Sequence, residues 1–514
     1  MKRLQVALKV FKFLFSRGFI TFIGCVIQVA ALCLILLYAH DWFALFQAVC
    51  ITFAVIAFFE INNKKQQPEY KLSWTVLLFI FPILGLILYA FYYDPQLKRK
   101  KTRLMEKQYV EGVIYLPKTE IKEKENFSES FGISESLYRQ MGFTGDFNNR
   151  ATYLGSGEEF FLELKKELEK AENFIFMQFF IISPGKMWDE IHEILKRKVA
   201  AGVEVRVMYD DVGSLKMPIS FAKKLIKDGI KCIKFNPMGP RAIGRYDNRD
   251  HRKIVIIDGK VAFTGGANIA DEYINAIERF GKWKDSSIKI EGSEVKVFTF
   301  NFLLMFDALG KFKNPTTEFE QYLNIDAAKF TDEGYIQPFV DGPRPFYKDN
   351  ISEENYINLI SGAKNRLYIT TPYLIPNYSI LYALKLAVSR GVDVRIVTPH
   401  IPDKKAVFLI TRSHYEFLCK SGVKVYEYTP GFIHSKQILS DDTAFIGTVN
   451  CDFRSFVHHF ECGVNLYGTP CIKDIERDFE NVFGESDIVD YKKINRNIFT
   501  KLITSIMNIF SPLL

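Results

Sequence analysis

Two stretches of this chain carry a histidine, a lysine and an aspartate in the same order and at the same spacing: His251, Lys253 and Asp258, then His434, Lys436 and Asp441. Each runs into a glycine turn and an asparagine, Gly265-Gly266-Ala267-Asn268 in the first and Gly447-Thr448-Val449-Asn450 in the second. In both, the histidine and lysine stand two positions apart at the head of an apolar run that reads as a strand (Ile254 to Ile257; Gln437 to Leu439). The period of a strand puts both side chains on one face. An imidazole beside a fixed positive charge, made twice, suits phosphoryl-group transfer. One neutral imidazole attacks phosphorus and forms a phosphohistidine; the other, protonated, gives its proton to the leaving alkoxide and later takes one from the incoming hydroxyl. An ordinary histidine pKa of about 6.5 lets both states exist near neutrality. Lys253, Lys436, Asn268 and Asn450 then stabilise the charged oxygens. No metal is expected, because the sequence offers neither the clustered carboxylates of a metal phosphatase nor paired cysteine ligands, and no cofactor is implied.

The aspartates complete the motif and are counted with the catalytic set. Their odd offset from the lysines and their place at turns (Asp258-Gly259, Asp441-Asp442) point to positioning rather than chemistry. The second motif is one residue shorter between aspartate and asparagine, so either Asp441 or Asp442 fills the turn. Asp285 and Glu461 each follow a motif and precede an apolar strand, a placement suited to orienting an imidazole; ordinary salt bridging is the alternative. His458 and His459 are read as non-catalytic. Arg241, Arg245 and Arg249, in the loop that leads to the first motif, are candidates to meet phosphate or merely solvated.

The elements that must hold these residues repeat as well. From about Ile133 the pattern alternates helix and strand, an α/β signature. Glu159 to Lys170 reads as a helix, Phe174 to Ile182 as a strand, then a helix ending near Gly202 and the strand Val203 to Met208. The second half repeats this with Glu353 to Ala363, Leu367 to Thr371, Ser379 to Ser389, Gly391 and Val392 to Val397. Gly202 to Gly391 and His251 to His434 span nearly equal intervals, so one unit is duplicated and two domains share a central site. The expected boundaries are 105–335 and 336–498, with a linker near Asp341 to Pro345 or slightly before it.

Apolar residues make up 48% of the 514 and are densest in residues 1–104. Runs at about 19–38, 43–59 and 72–93 each approach the length that crosses a bilayer, which reads as a multi-pass anchor rather than a signal peptide. Lys2, Arg3, Lys9, Lys12 and Arg17 place the amino terminus in the cytoplasm, and Lys64, Lys65 and Lys71 place the second loop there. Three full crossings would then put Lys98 to Arg103 outside, against the same rule. Either the Pro82/Gly85 segment dips in and returns or that basic cluster is an exception; a cytoplasm-facing catalytic region is favoured. Residues 499–514 are amphipathic, fitting a membrane interface or a core-packing helix equally. The eight cysteines show no ligand spacing and read as reduced thiols.

These residues resemble the phospholipase D superfamily and, within it, the bacterial cardiolipin synthases, over nearly the whole chain. The resemblance is carried by Asp247 to Gly259 and Phe263 to Tyr273 in the first half. In the second it is carried by Thr371 to Pro376, Gly431 to Lys436 and Asn450 to Ser455, and in the anchor by Trp74 and Pro82 to Gly85. It implies two phospholipase D-like domains and two molecules of phosphatidylglycerol as substrates, one donating a phosphatidyl group to a histidine and the other accepting it. It implies His251 as nucleophile and His434 as acid and base, an assignment the near-symmetric halves leave open. Water as acceptor would make a hydrolase, another alcohol a different transphosphatidylase, and a nucleic acid a nuclease; the apolar anchor argues against the last. A catalytically silent lipid-binding scaffold would be expected to have lost a histidine or lysine, and both pairs are intact.

Overall fold

The computed structural model describes residues 17–38, 40–93, 99–118, 131–237, 247–310, 319–331, 334–347, 349–494 and 497–513. The chain forms two compact units. The larger comprises Lys98–Phe235 and Arg249–Asn495; the smaller comprises Met1–Leu97, Asn236–Asn248 and Arg496–Leu514.

The larger unit holds two sheets built to one plan. The first has seven strands in the order Asn149–Leu154, Ser287–Gly292, Val261–Gly265, Lys253–Ile257, Phe174–Phe179, Glu204–Asp210 and Lys231–Phe235. The second runs Tyr335–Asp341, Glu461–Tyr467, Thr443–Gly447, Gln437–Ser440, Arg366–Thr370, Asp393–Pro399 and Lys424–Tyr428, with Ser486–Ile488 added at its edge. Position by position the pairings agree: antiparallel through the motif hairpin, then parallel where helices make the crossovers. Parallel strands need such crossovers and are covered on both faces, which is why Phe174–Phe179 is apolar at nearly every position and wholly buried. The second half starts with the strand at Tyr335, ahead of Asp341 to Pro345. The basic helix Arg99–Gly112 belongs to the larger unit, where Tyr109 packs 5.6 Å from Phe300 on the almost wholly buried helix Val295–Leu309.

Each motif hairpin is tied to its sheet by its aspartate. Asp258 and Asp441 both adopt positive φ, at 54° and 49°, a region in which Asp is among the tolerated residues. The Asp258 carboxylate accepts N–H bonds from Glu172, Asn173 and Phe174 at 2.7–2.8 Å, and Asp441 accepts from Lys364, Asn365 and Arg366 at 2.7–3.0 Å. Asp441, not Asp442, is therefore the counterpart of Asp258. The missing residue lies in the turn itself: Ile257 pairs with Val261, but Ser440 pairs with Thr443.

In the smaller unit, Phe43–Asn63 is the one helix among the described residues long and apolar enough to cross a membrane. Its 21 residues extend about 32 Å at the rise of an α-helix, against a hydrocarbon core of about 30 Å. Helix Arg17–Tyr38 has 22 residues and no charged residue after Arg17. The third apolar run is not one span. It breaks at Phe81 into helices Pro68–Ile80 and Pro82–Tyr92, each too short to cross. Proline at the first position of the second helix starts it without a lost hydrogen bond. The pair doubles back. Tyr70, near the start, donates its hydroxyl to the Tyr93 carbonyl at the end (2.7 Å), and their rings stack at 5.8 Å. Lys64 sits over the same Tyr93 ring at 4.9 Å, so both ends of the hairpin lie by the carboxyl end of Phe43–Asn63. The tip reaches the middle of Arg17–Tyr38, where the Leu84 N–H donates to Gln28 Oε1 at 3.1 Å. The carboxyl-terminal helix Ile498–Phe510 joins this unit rather than forming a separate tail: Ser73 donates to the Ile509 carbonyl at 2.5 Å. Of the basic residues that suggested orientation, Lys2, Arg3, Lys9, Lys12 and Lys98 lie outside the described residues.

Candidate active site

The two motif histidines are brought into one buried site within the larger unit by short backbone pairings between the halves. Asp250 bridges Phe460, with His251 N–H donating to the Phe460 carbonyl at 2.9 Å. Gly431–Ile433 pairs in parallel with Lys282–Lys284, and His434 N–H donates to the Lys284 carbonyl at 2.7 Å. Each histidine is thus held beside the residue that immediately precedes the other half's carboxylate.

The orientation is crossed as a result. His251 Nδ1 lies 3.0 Å from Glu461 Oε1 and 3.1 Å from Oε2, while His434 Nδ1 lies 2.8 Å from Asp285 Oδ2. Both carboxylates are fully buried, and each imidazole is shielded, at 9% side-chain exposure. A carboxylate on Nδ1 fixes the tautomer and leaves Nε2 for chemistry. The supports differ in one respect. A Cβ on Gly266 would fall 2.0 Å from Asp285 Oδ1, so only glycine fits there; the matching Thr448 instead donates its hydroxyl to Glu461 Oε2.

Lys253 Nζ turns back to the His251 carbonyl, and Lys436 Nζ does the same at His434 while lying 2.8 Å from its Nδ1. Burial, then the charges of Lys253, Lys436 and His434, push the His251 pKa well below the ordinary value. Burial and Lys436 push His434 down to about 4 against the pull of Asp285. Burial also lowers Lys253 to about 8 and Lys436 to about 7. Burial alone would raise Asp285, but His434 and Lys436 outweigh it and hold the carboxyl below its usual range. The groups lining the site therefore favour neutral imidazoles, and an arriving phosphodiester anion would favour protonation of one of them.

The remaining candidates divide. Asn450 is buried with its Oδ1 unpartnered, whereas Asn268 accepts from the Ile181 N–H at 2.9 Å and donates to the Tyr273 hydroxyl at 2.7 Å. Asp258 and Asp441, counted with the catalytic set on the motif, are not at the site: each sits at the far end of the motif strand from its lysine, its oxygens committed to backbone N–H groups. Arg249 pairs with buried Asp210 at 3.3 Å, and Arg241 and Arg245 lie outside the described residues. His459, read as a bystander, stands with its ring 5.4 Å from His251. Its position two residues before Glu461 is the only trace of this in the sequence.

Comparison with known proteins decides the family. Residues 164–278 and 356–483 match the family described as "Cardiolipin synthase, PLD-like domain", and residues 52–92 match a "Phospholipase_D-nuclease N-terminal" family. A cardiolipin synthase of Halalkalibacterium halodurans is 33% identical over 92% of this chain and 94% of its own length. Cardiolipin synthase 2 of Bacillus anthracis is 34% identical over 88% of each. The chain belongs to the phospholipase D-like cardiolipin synthase family. Among solved structures, phosphatidylserine synthase from Haemophilus influenzae shares the fold, with a TM-score of 0.56 at 15% identity, covering 75% of this chain and 98% of that one. The matched family segments contain both motif histidines, and the apolar hairpin falls inside the amino-terminal match.

Proposed function

We propose that the protein is a membrane-anchored cardiolipin synthase, transferring a phosphatidyl group from one phosphatidylglycerol to a second and releasing glycerol. The observation that carries this reading is the pair of imidazoles, each fixed through Nδ1 by a buried carboxylate from the opposite half and each accompanied by a lysine. His251 is taken as the nucleophile, as the resemblance of the first motif to the superfamily implies, and its Nε2 lone pair attacks phosphorus. The P–O bond to glycerol breaks, and His434, protonated in the complex, delivers its proton to the departing oxygen. Neutral again, His434 takes the proton of the second lipid's glycerol hydroxyl as that oxygen attacks phosphorus and the P–N bond breaks. Lys253 and Lys436 neutralise the phosphoryl oxygens in both transition states, and the Asn450 amide NH2 donates to them.

The anchor supports a crossing followed by a re-entrant hairpin. Helix Phe43–Asn63 crosses, while the Pro68–Tyr92 hairpin enters and returns to the side of Lys64. The stretches around Lys64–Lys71 and Arg99–Arg103 then share one side, which by charge is the cytoplasm. Product analysis tests the function: purified full-length protein in phosphatidylglycerol micelles yields cardiolipin and glycerol in equal amounts. Phosphatidic acid as the only lipid product would make it a hydrolase instead.

A further inference from the structure

We propose that His251, His459 and Glu461 form a binding site for a divalent transition metal ion of zinc-like chemistry, and that occupancy of this site switches the enzyme off. One ligating atom from each residue lies within 4.8 Å of the others. Glu461 Oε1 is 3.0 Å from His251 Nδ1 and 3.5 Å from His459 Nδ1, so one carboxylate oxygen faces two imidazole nitrogens. Two imidazoles and a carboxylate are a ligand set suited to zinc, with a fourth position left for water.

His459 supplies the independent observation. Its side chain is 10% exposed, both ring nitrogens are closed off from solvent, and the one polar approach, Nδ1 to Glu461 at 3.5 Å, is too long for a good hydrogen bond. Buried polar atoms are ordinarily well paired, and a poorly satisfied imidazole beside a carboxylate is what a metal ligand looks like before the metal arrives.

The consequence for turnover follows from one proton. In the metal-free site, Nδ1 of His251 carries a hydrogen directed at Glu461. Coordination needs a lone pair on Nδ1, so that hydrogen moves to Nε2 as the metal binds, with no net change in protons. Nε2 then has no lone pair with which to attack phosphorus.

The site can be read without turnover. Cobalt(II) added to the full-length protein in neutral detergent is expected to give the intense visible absorption of a low-symmetry four-coordinate ion, displaced by zinc, and His459→Ala should lose it. In turnover assays, zinc should inhibit reversibly, with activity restored by a chelator. The inhibition constant, taken against each protein's own metal-free rate, should rise at least about tenfold in His459→Ala and in His459→Phe, which keeps the ring's bulk. A wild-type protein with no cobalt band, or variants that keep both the band and the inhibition, would overturn the site. Failure to make cardiolipin would speak against the function proposed above and not against the site, because the cobalt titration needs no substrate.

Discussion

His434 is held through Nδ1 by Asp285, 2.8 Å away and drawn from the other half of the chain. Its counterpart, His251 with Glu461, is crossed in the same way. The pairing should show in double mutants. Asp285→Asn is expected to cost about 10²–10⁴ in kcat, as when a carboxylate no longer fixes a catalytic tautomer, and to add little in a His434→Ala background. Coupling of Asp285 to His251 rather than to His434 in that cycle would refute the crossed arrangement.

The two histidines should prove unequal when the reaction is interrupted. His251→Ala and His434→Ala are each expected to reduce turnover at least about a thousandfold. With phosphatidylglycerol labelled at phosphorus, His434→Ala should retain an acid-labile, base-stable phosphoryl group on the protein while His251→Ala retains none. The reverse pattern would exchange their roles.

The lysines predict an alkaline limit. Each must be charged to hold a phosphodiester, and burial places Lys436 at about 7 and Lys253 at about 8. Charge is lost as pH rises through those values, so kcat/KM should fall above about pH 7, and Lys436→Arg should move the fall upward wherever it retains activity. Stability runs the other way on the acid side. His434 is depressed to about 4, so the unfolded chain takes up its proton first and stability declines as pH falls from the ordinary histidine range through 4. Denaturant midpoints across that range, compared with those of His434→Ala, measure the contribution.

Asp258→Ala and Asp441→Ala should behave as folding variants. Each removes a carboxylate that accepts three backbone N–H groups, a loss of about 3 kcal/mol or more. The midpoint of denaturation should drop while kcat per folded molecule stays within about threefold of wild type. A kcat loss comparable to that of the histidine variants would return these residues to the chemistry.

The proposed re-entry of the Pro68–Tyr92 hairpin predicts sidedness. Cysteines placed at Lys65 and at Arg103, in a chain whose Cys25 and Cys33 are replaced by alanine, should react with an impermeant thiol reagent from the same side of sealed vesicles. Reaction from opposite sides would mean that the third apolar run crosses.

Much of this architecture was legible in the sequence because duplication writes it twice. The matched glycines, strands and His-x-Lys spacings gave the two halves, and the structure repeats them strand for strand. The carboxylates stood out as residues, yet their crossing did not, because it depends on bridges such as Asp250 to Phe460 between segments far apart in sequence. The nearness of His459 to His251 was hidden for the same reason: nothing in one strand reveals which imidazole will share its carboxylate. The hairpin was present as Pro82 and Gly85 in an apolar run, but proline alone does not distinguish a kink from a reversal. The Tyr70 to Tyr93 stack makes that distinction.

Crossed carboxylates also set an order in time. When the ribosome has delivered the chain through the first half, His251 exists and Glu461 does not, and Asp285 has no imidazole to hold. A nascent or truncated first half therefore carries the histidine and lysine of a phosphatidyl transferase without a tautomer fixed for attack. The tautomer that leaves Nε2 of His251 open is fixed only once the second half has folded against the first.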